Sequence, residues 1–339
     1  MVVTYPDSST KEFAQGSTFM DAAVAISEGF ARKALVAGVD GRLYDLASPI
    51  PGDVSVVFLT FDDDEGRKIY WHSTSHVMAA AVKRLFPEAK VTIGPAIDDG
   101  FYYDFDVNKP FTVEDIERIE AEMKNVIKEN DSFIRQEITR EEAIDLFTQE
   151  DESYKAELAK ELEDEQVSLY KLDGFIDLCR GPHILSAGRI KAFKLLSTSG
   201  AYWRGDERNP MLQRIYGISF PDKKMLKSHI EWLEEVKKRD HRVLGKKLDL
   251  FSVDEEIGSG LILWHPGGAL LRNVIEGYWR SEHEKRGYEL VYTPHIASER
   301  VFERSGHLKN YAEYMYSPMD IDGTDYYVKP MNCPGHIKI

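Results

Sequence analysis

The chain has 339 residues, 42% of them hydrophobic and 30% charged, with a formal net charge of −15. That is too long for one ordinary domain and ordinary for a soluble globular protein, so two or three domains are expected. No run approaches the roughly 18 consecutive apolar residues of a membrane span, no secretory signal opens the chain, and Cys179 and Cys333 make no disulfide framework. A cytoplasmic location without membrane contact is the expectation.

In chain order, "MVVTYPDSSTKEF" reads as two short strands around a Pro-Asp-Ser turn. "TFMDAAVAISEG" reads as a helix that Thr18 caps and Gly29 ends. "KALVAGVDG", "RLYDL" and "DVSVVFLTF" complete a small sheet crossed by one helix. The acidic cluster "DDDEGRK" at 62–68 marks a boundary, followed at once by a helix over "WHSTSHVMAAAVKRLFP".

Strand alternation returns in "VTIGPAIDDGFYYDF". Two acidic segments, "VEDIERIEAEMKNVIKEND" and "TREEAIDLFTQEDESYKAELAKELED", then carry apolar residues at helical spacing. "VSLYKLDGFIDLCRGPHI" alternates like strands and ends in a Cys-Arg-Gly-Pro-His loop. Leu226, Ile230, Leu233 and Val236 mark a long basic amphipathic helix that reads as a connector. A further long helix, "GGALLRNVIEGYWRSEHEKRG", runs into a strand, "YELVYTPHI", expected to stop at Pro294.

Charge is unevenly placed. Residues 104–165 hold 8 Lys+Arg against 21 Asp+Glu, whereas residues 180–247 hold 16 against 7. The acidic total therefore hides a basic stretch able to face phosphates; solvated helix faces explain such runs equally well.

His72 and His76 lie four residues apart, one face of one helical turn. Cys179 and His183 repeat the offset, and the four together are a donor set suited to tetrahedral zinc. Singly, each is an ordinary histidine or cysteine; as a set they favour a shared site. A metalloprotease helix carries Glu directly after its first His, and here that place is Ser73. No cysteine-protease signature surrounds Cys179, so that reading ranks last.

The order of "HSTSHVMAAAVKRLFP", "GFYYDF", "DLCRGPHI", "KRDHRVLGKKLDLF", "WHPGGALLRNVIEGYWRSEHEKRGYELVYTPHI" and "VKPMNCPGH" resembles bacterial threonyl-tRNA synthetases across essentially the whole chain. The resemblance implies an α+β multidomain protein. It places a ubiquitin-like β-grasp TGS domain at 1–61, an editing domain at 62–222, a linker helix at 223–243 and the start of a class II antiparallel catalytic sheet at 244–339. It further implies that the chain stops inside that catalytic domain, which would join threonine to threonine tRNA with ATP and Mg²⁺.

By the same resemblance, His72, Lys155 and Asp177 fall on catalytic positions of an editing pocket that hydrolyses mischarged seryl-tRNA. His76, Tyr170, Cys179 and His183 fall on its substrate-binding positions, and the pocket is expected to work without an obligatory metal. Cys333 falls on a zinc ligand of the synthetic site, whose partner ligands are expected beyond residue 339. The motif 1 helix and strand ending at Pro294 are expected to build a homodimer interface. Serine differs from threonine by one methyl, worth only about 1–3 kcal/mol of discrimination, which is why a second, hydrolytic site is needed. The expected activity of this chain is editing at most; a noncatalytic tRNA-binding fragment and a zinc-dependent hydrolase are the alternatives.

Overall fold

The structure is a computed structural model describing residues 1–339. β1 (Val2–Thr4) and β2 (Thr10–Glu12) pair antiparallel around Pro6-Asp7-Ser8, where Asp7 accepts from the Ser9 backbone and hydroxyl. α1 (Phe19–Ile26) begins with a capping box between Thr18 and Asp21. It ends three residues before Gly29, because Ser27 is extended and caps a second turn, α2 (Glu28–Ala31), accepting from Phe30 N.

β3 (Val36–Val39) and β4 (Arg42–Asp45) form a hairpin, and β5 (Val54–Ser55) and β6 (Val57–Leu59) are one run of chain interrupted at Val56. The run joins two small sheets: β5 pairs parallel with β1, and β6 pairs antiparallel with β3. Phe19, Ala22, Ala37, Leu46 and Val56 fill the core between them and α1.

α3 (Asp64–Leu85) starts inside the acidic cluster that reads as a boundary in the sequence. Asp64 and Glu65 occupy its first turn and Lys83 and Arg84 its last, matching the helix dipole at both ends. After β7 (Lys90–Val91) and β8 (Ala96–Ile97), β9 (Gly100–Asp106) enters a five-stranded sheet; α4 (Val113–Glu129) follows. β10 (Ile134–Thr139), α5 (Arg140–Gln149), α6 (Ser153–Glu161), β11 (Gln166–Leu172) and β12 (Phe175–Leu178) come next; β10, β11 and β12 make a second antiparallel sheet. β13 (Ala192–Tyr202) and β14 (Met211–Phe220) complete the five-stranded sheet beside β9.

α3 is wedged into the main core with fourteen of its 22 residues buried, several of them polar. Burying a hydroxyl costs free energy unless it is bonded. The helix meets that condition: Trp71 Nε1 donates to Ser219 O at 2.8 Å, and Thr74 Oγ1 lies 2.7 Å from Ser219 Oγ on β14.

The connector read as one helix is two. α7 (Lys223–Lys238) stops, and Asp240 caps a new helix, α8 (His241–Lys247), accepting from Arg242 N at 2.8 Å. Asp is a strong N-cap residue and a weak one inside a helix, which sets the break. Residues 1–235 and 236–339 form two compact units.

In the second unit β15 (Phe251–Val253) pairs with β16 (Ile262–Trp264), and α9 (Pro266–Glu284) follows with only Gly268 buried. The strand expected over 288–294 forms no ladder; pairing begins later, at β17 (Ile296–Ser298). Extended backbone becomes a strand only with a neighbouring edge to bond. After α10 (Glu299–Arg304) and α11 (His307–Asn310), β18 (Met319–Ile321) and β19 (Thr324–Val328) complete the three-stranded sheet β17-β19-β18, and α12 (Cys333–His336) ends the described elements. A mixed α+β architecture with several separate sheets results. No helix is long and apolar enough to cross a membrane.

Candidate functional site

His72 and His76 project from one face of α3 toward the loop that leaves β12. There they meet Cys179 and His183: one donor atom from each of the four lies within 4.8 Å of all the others. The His72 and His183 rings stack at 4.7 Å, and Phe133 lies parallel to the opposite face of His183 at 4.8 Å.

Donor counting fixes the protons. His72 Nδ1 is 2.8 Å from Gly94 O, a carbonyl that only accepts, so Nδ1 carries the proton and Nε2 a lone pair. Ser73 Oγ donates its single proton to Ile69 O and accepts from Ile184 N at 3.1 Å. Its remaining lone pair receives His183 Nδ1–H at 3.0 Å. His183 Nε2 is thereby a lone pair as well. Both Nε2 atoms point at Cys179 Sγ, from 3.1 and 3.3 Å, and the thiol has one proton for the two of them. One imidazole acceptor is left over.

Burial enforces this state. Desolvation holds all three imidazoles below the ordinary histidine range, His76 and His183 far below, with neighbouring rings adding to the effect on those two. Burial, reinforced by the Asp177 carboxylate, pushes the Cys179 thiol up to about 12. A thiol so held is a poor nucleophile.

A second pair adjoins the first. Lys155, on α6, and Asp177, on β12, form an ion pair at 2% exposure each. Asp177 Oδ2 also accepts from Tyr103 OH at 2.7 Å and lies 3.4 Å from His76 Nε2. Lys83 on α3 pairs with Glu152 at the start of α6 at 2.7 Å, fixing the helix that presents Lys155. The Lys155 charge acts on His72, His76 and Cys179, so both groups belong to one constellation.

Tyr170 stands behind the loop, its ring 4.4 Å from His183, and a side chain at Gly181 would overlap its hydroxyl. Beside Cys179 opens a groove of about 1250 Å³ whose walls include Arg42, Arg135 and Arg180 as well as the acidic Glu137, Glu161 and Asp164. Cys333 is exposed in the second unit, and no cluster of potential metal ligands includes it.

The net +9 of the basic stretch overstates its free charge. Arg214 is doubly bonded to Asp104, Arg204 to Glu157 and Glu161, Lys194 to Glu120, and Arg189 is turned inward.

Sequence reasoning passes over Tyr103, Ser73, Gly94 and Asp45, all of which bond pocket residues. Tyr103 alone leaves a signal: it shares the apolar face of β9 with Phe101 and Phe105, and a buried phenol needs an acceptor.

Residues 1–60 match the family model described as the TGS domain, and residues 167–216 the one described as the threonyl and alanyl tRNA synthetase second additional domain. Proteins named threonine–tRNA ligase from Desulforamulus reducens and Caldanaerobacter subterraneus are 53% and 52% identical over 99% of this chain; one from Acetivibrio thermocellus is 53% identical over 98%. The chain is a homologue of threonine–tRNA ligases. It spans about half the length of these curated relatives, 52–53% of each. The pocket is split between the second matched region and the chain between the two: Cys179, His183 and Asp177 lie in the second additional domain, whereas His72, His76 and Lys155 precede it and follow residue 60.

Proposed function

We propose that this chain is the N-terminal portion of a threonine–tRNA ligase and that its pocket hydrolyses serine wrongly esterified to threonine tRNA. The reading divides it into a TGS domain (1–61), an editing domain (62–222), a linker (223–243) and the start of a class II catalytic domain (244–339). The observation that carries it is the convergence of two unprotonated imidazole nitrogens on one thiol, beside the buried Lys155–Asp177 pair.

When Cys179 donates to His183, His72 Nε2 remains free to take a proton from an attacking water. The oxygen of the tetrahedral intermediate then develops negative charge near Lys155, which Asp177 keeps in place. His72 returns the proton to the departing ribose oxygen, giving free serine and tRNA. Proton transfer of this kind contributes about 10²- to 10⁴-fold. His76, Tyr170, Cys179 and His183 form the walls against the seryl group and terminal adenosine, and Arg42, Arg135 and Arg180 suit the phosphates leading to it.

A zinc-assisted version has one observation in its favour, the donor set of three imidazoles and a thiol. His72, His76, Cys179 and His183 would hold the ion, which would supply a lowered pKa to bound water. Metal analysis of the purified chain and deacylation in the presence of chelator separate the versions; the metal-free one expects an unchanged rate.

The full-length enzyme of this reading ligates threonine to its tRNA with ATP and Mg²⁺, reads the threonine hydroxyl through a zinc that Cys333 helps to hold, and dimerises. The apolar face of α9, with Leu270, Val274, Ile275, Tyr278 and Trp279 each at least half exposed, supports a homodimer interface there. A noncatalytic tRNA-binding fragment is the rival. Incubating the chain with seryl-tRNA beside a His72→Ala, His76→Ala double variant decides: release of serine by the parent and its loss in the variant support hydrolysis, whereas bound but intact seryl-tRNA supports the rival.

A further inference from the structure

One carboxylate from the first sixty residues reaches the pocket. Asp45, the last residue of β4, accepts from His183 N at 2.7 Å through Oδ1 and from Tyr170 OH at 2.8 Å through Oδ2. These two partners flank the loop that carries the thiol. His183 closes it, while the Tyr170 hydroxyl lies against Gly181, whose left-handed backbone (φ 69°) and missing side chain leave the room for it. The bond to His183 N fixes the backbone whose imidazole aims at Cys179 Sγ. Asp45 itself is anchored, half-buried at the end of a paired strand, with its carbonyl bonded to Ser48 N at 3.0 Å.

The attachment of the TGS domain does not depend on this contact. Arg189 donates to the carbonyls of Ala34 at 2.7 Å, Ala31 at 3.1 Å and Arg32 at 3.3 Å, at the C-terminal end of α2, where a cation suits the helix dipole. Leu35, Val36 and Phe61 also pack into the same core as α3. Docking and the Asp45 contact are therefore separable.

We propose that Asp45 is a positioning residue for the deacylation site, so that the TGS domain is a working part of that site rather than an appended module. The proposal rests on the editing reading for its reaction, though the hold on the loop can be measured without it. Loss of the carboxylate frees Tyr170 OH and His183 N together, and the loop relaxes while the groove walls outside it, Arg42 and Arg135 among them, stay in place.

The test compares the whole chain with Asp45→Ala, Asp45→Asn and, as a control in the same domain, Asp53→Ala, whose carboxylate bonds Val2 N far from the pocket. Two quantities are read: kcat and KM for serine release from seryl-tRNA, and the alkylation rate of Cys179 by iodoacetamide, resolved by peptide mass. Displacing catalytic groups by about 1 Å can cost about 100-fold, so Asp45→Ala is expected to lower kcat roughly 10- to 100-fold with KM within about twofold. Cys179 alkylation should rise at least about tenfold as the loop loosens and the thiol meets solvent. Asp45→Asn retains a carbonyl oxygen for His183 N and should fall between parent and Ala variant; if the Ala variant fails to fold, this variant decides. Asp53→Ala should match the parent.

Parental kcat and parental alkylation in Asp45→Ala would overturn the proposal, as would a rise in KM alone, which marks a tRNA contact. Should the parent itself release no serine, the editing reading falls, and the alkylation rates still decide whether Asp45 holds the loop.

Discussion

Two long helices of this chain meet opposite fates. α3 buries fourteen of its 22 residues, including Ser73, Thr74, Ser75 and His76; α9 buries one of nineteen while exposing Leu270, Leu271, Val274, Ile275, Tyr278 and Trp279. Apolar periodicity does not predict which of them is buried, since α9 has the plainer apolar face. The difference is cover. Around α3 the buried hydroxyls and the Trp71 indole have found partners inside the first unit, with one imidazole acceptor left over in the pocket, whereas the apolar face of α9 is left uncovered. A donor cluster can therefore be built on a helix with little amphipathic contrast, while a helix with a plain apolar face can be left uncovered.

Breaking the buried pair behind α3 should have the largest effect. Lys155→Met leaves Asp177 buried without its cation, and removing one partner of such a pair costs about 3–5 kcal/mol. Urea unfolding of the whole chain should show the first unit losing that much, with serine release abolished.

Gly181→Ala comes next. The added methyl group meets the Tyr170 hydroxyl in a backbone conformation that L residues rarely adopt, and strain of this kind costs of order 1–3 kcal/mol. Comparing unfolding midpoints of Gly181→Ala with and without Tyr170→Phe measures it; the second change should recover part of the loss.

The buried histidines make the first unit sensitive to acid. Their folded pKa values lie below the unfolded value of about 6.5, so as pH falls through 6.5 the unfolded chain gains protons that the folded chain refuses. Stability is complete above that value and declines below it by up to about 1.4 kcal/mol per pH unit for each histidine. Unfolding at pH 7.5 and 5.5 should show the decline, and His183→Gln should make it shallower.

The smallest effect belongs to α9. Val274→Asp, 61% exposed, should change the stability of this chain by less than about 0.5 kcal/mol, as for surface substitutions generally. A large loss there would mean that the helix is covered after all, and the contrast with α3 would disappear.

What could be read from the sequence follows the range of the forces involved. The i, i+4 spacing of His72 and His76 and the matching offset of Cys179 and His183 are local, and so is the capping box at Thr18. Ladder partners are not local: nothing in "YELVYTPHI" reveals that residues 288–294 lack an edge to pair with. The break between α7 and α8 was legible in principle, since Asp240 is a cap residue, but the apolar spacing on either side hides it. Asp45 was out of reach, because its partners lie 125 and 138 residues away and a lone Asp at a strand end ordinarily faces water.

The central claim is that this pocket selects against one small difference, a methyl group, on an ester. The most direct measurement is the ratio of first-order rates at which the purified chain releases serine and threonine from the same threonine tRNA. One methyl excluded from a tight pocket is worth about 10- to 200-fold, and a ratio in that range in favour of serine is expected. Equal release of both amino acids, or release no faster than without protein, would contradict it.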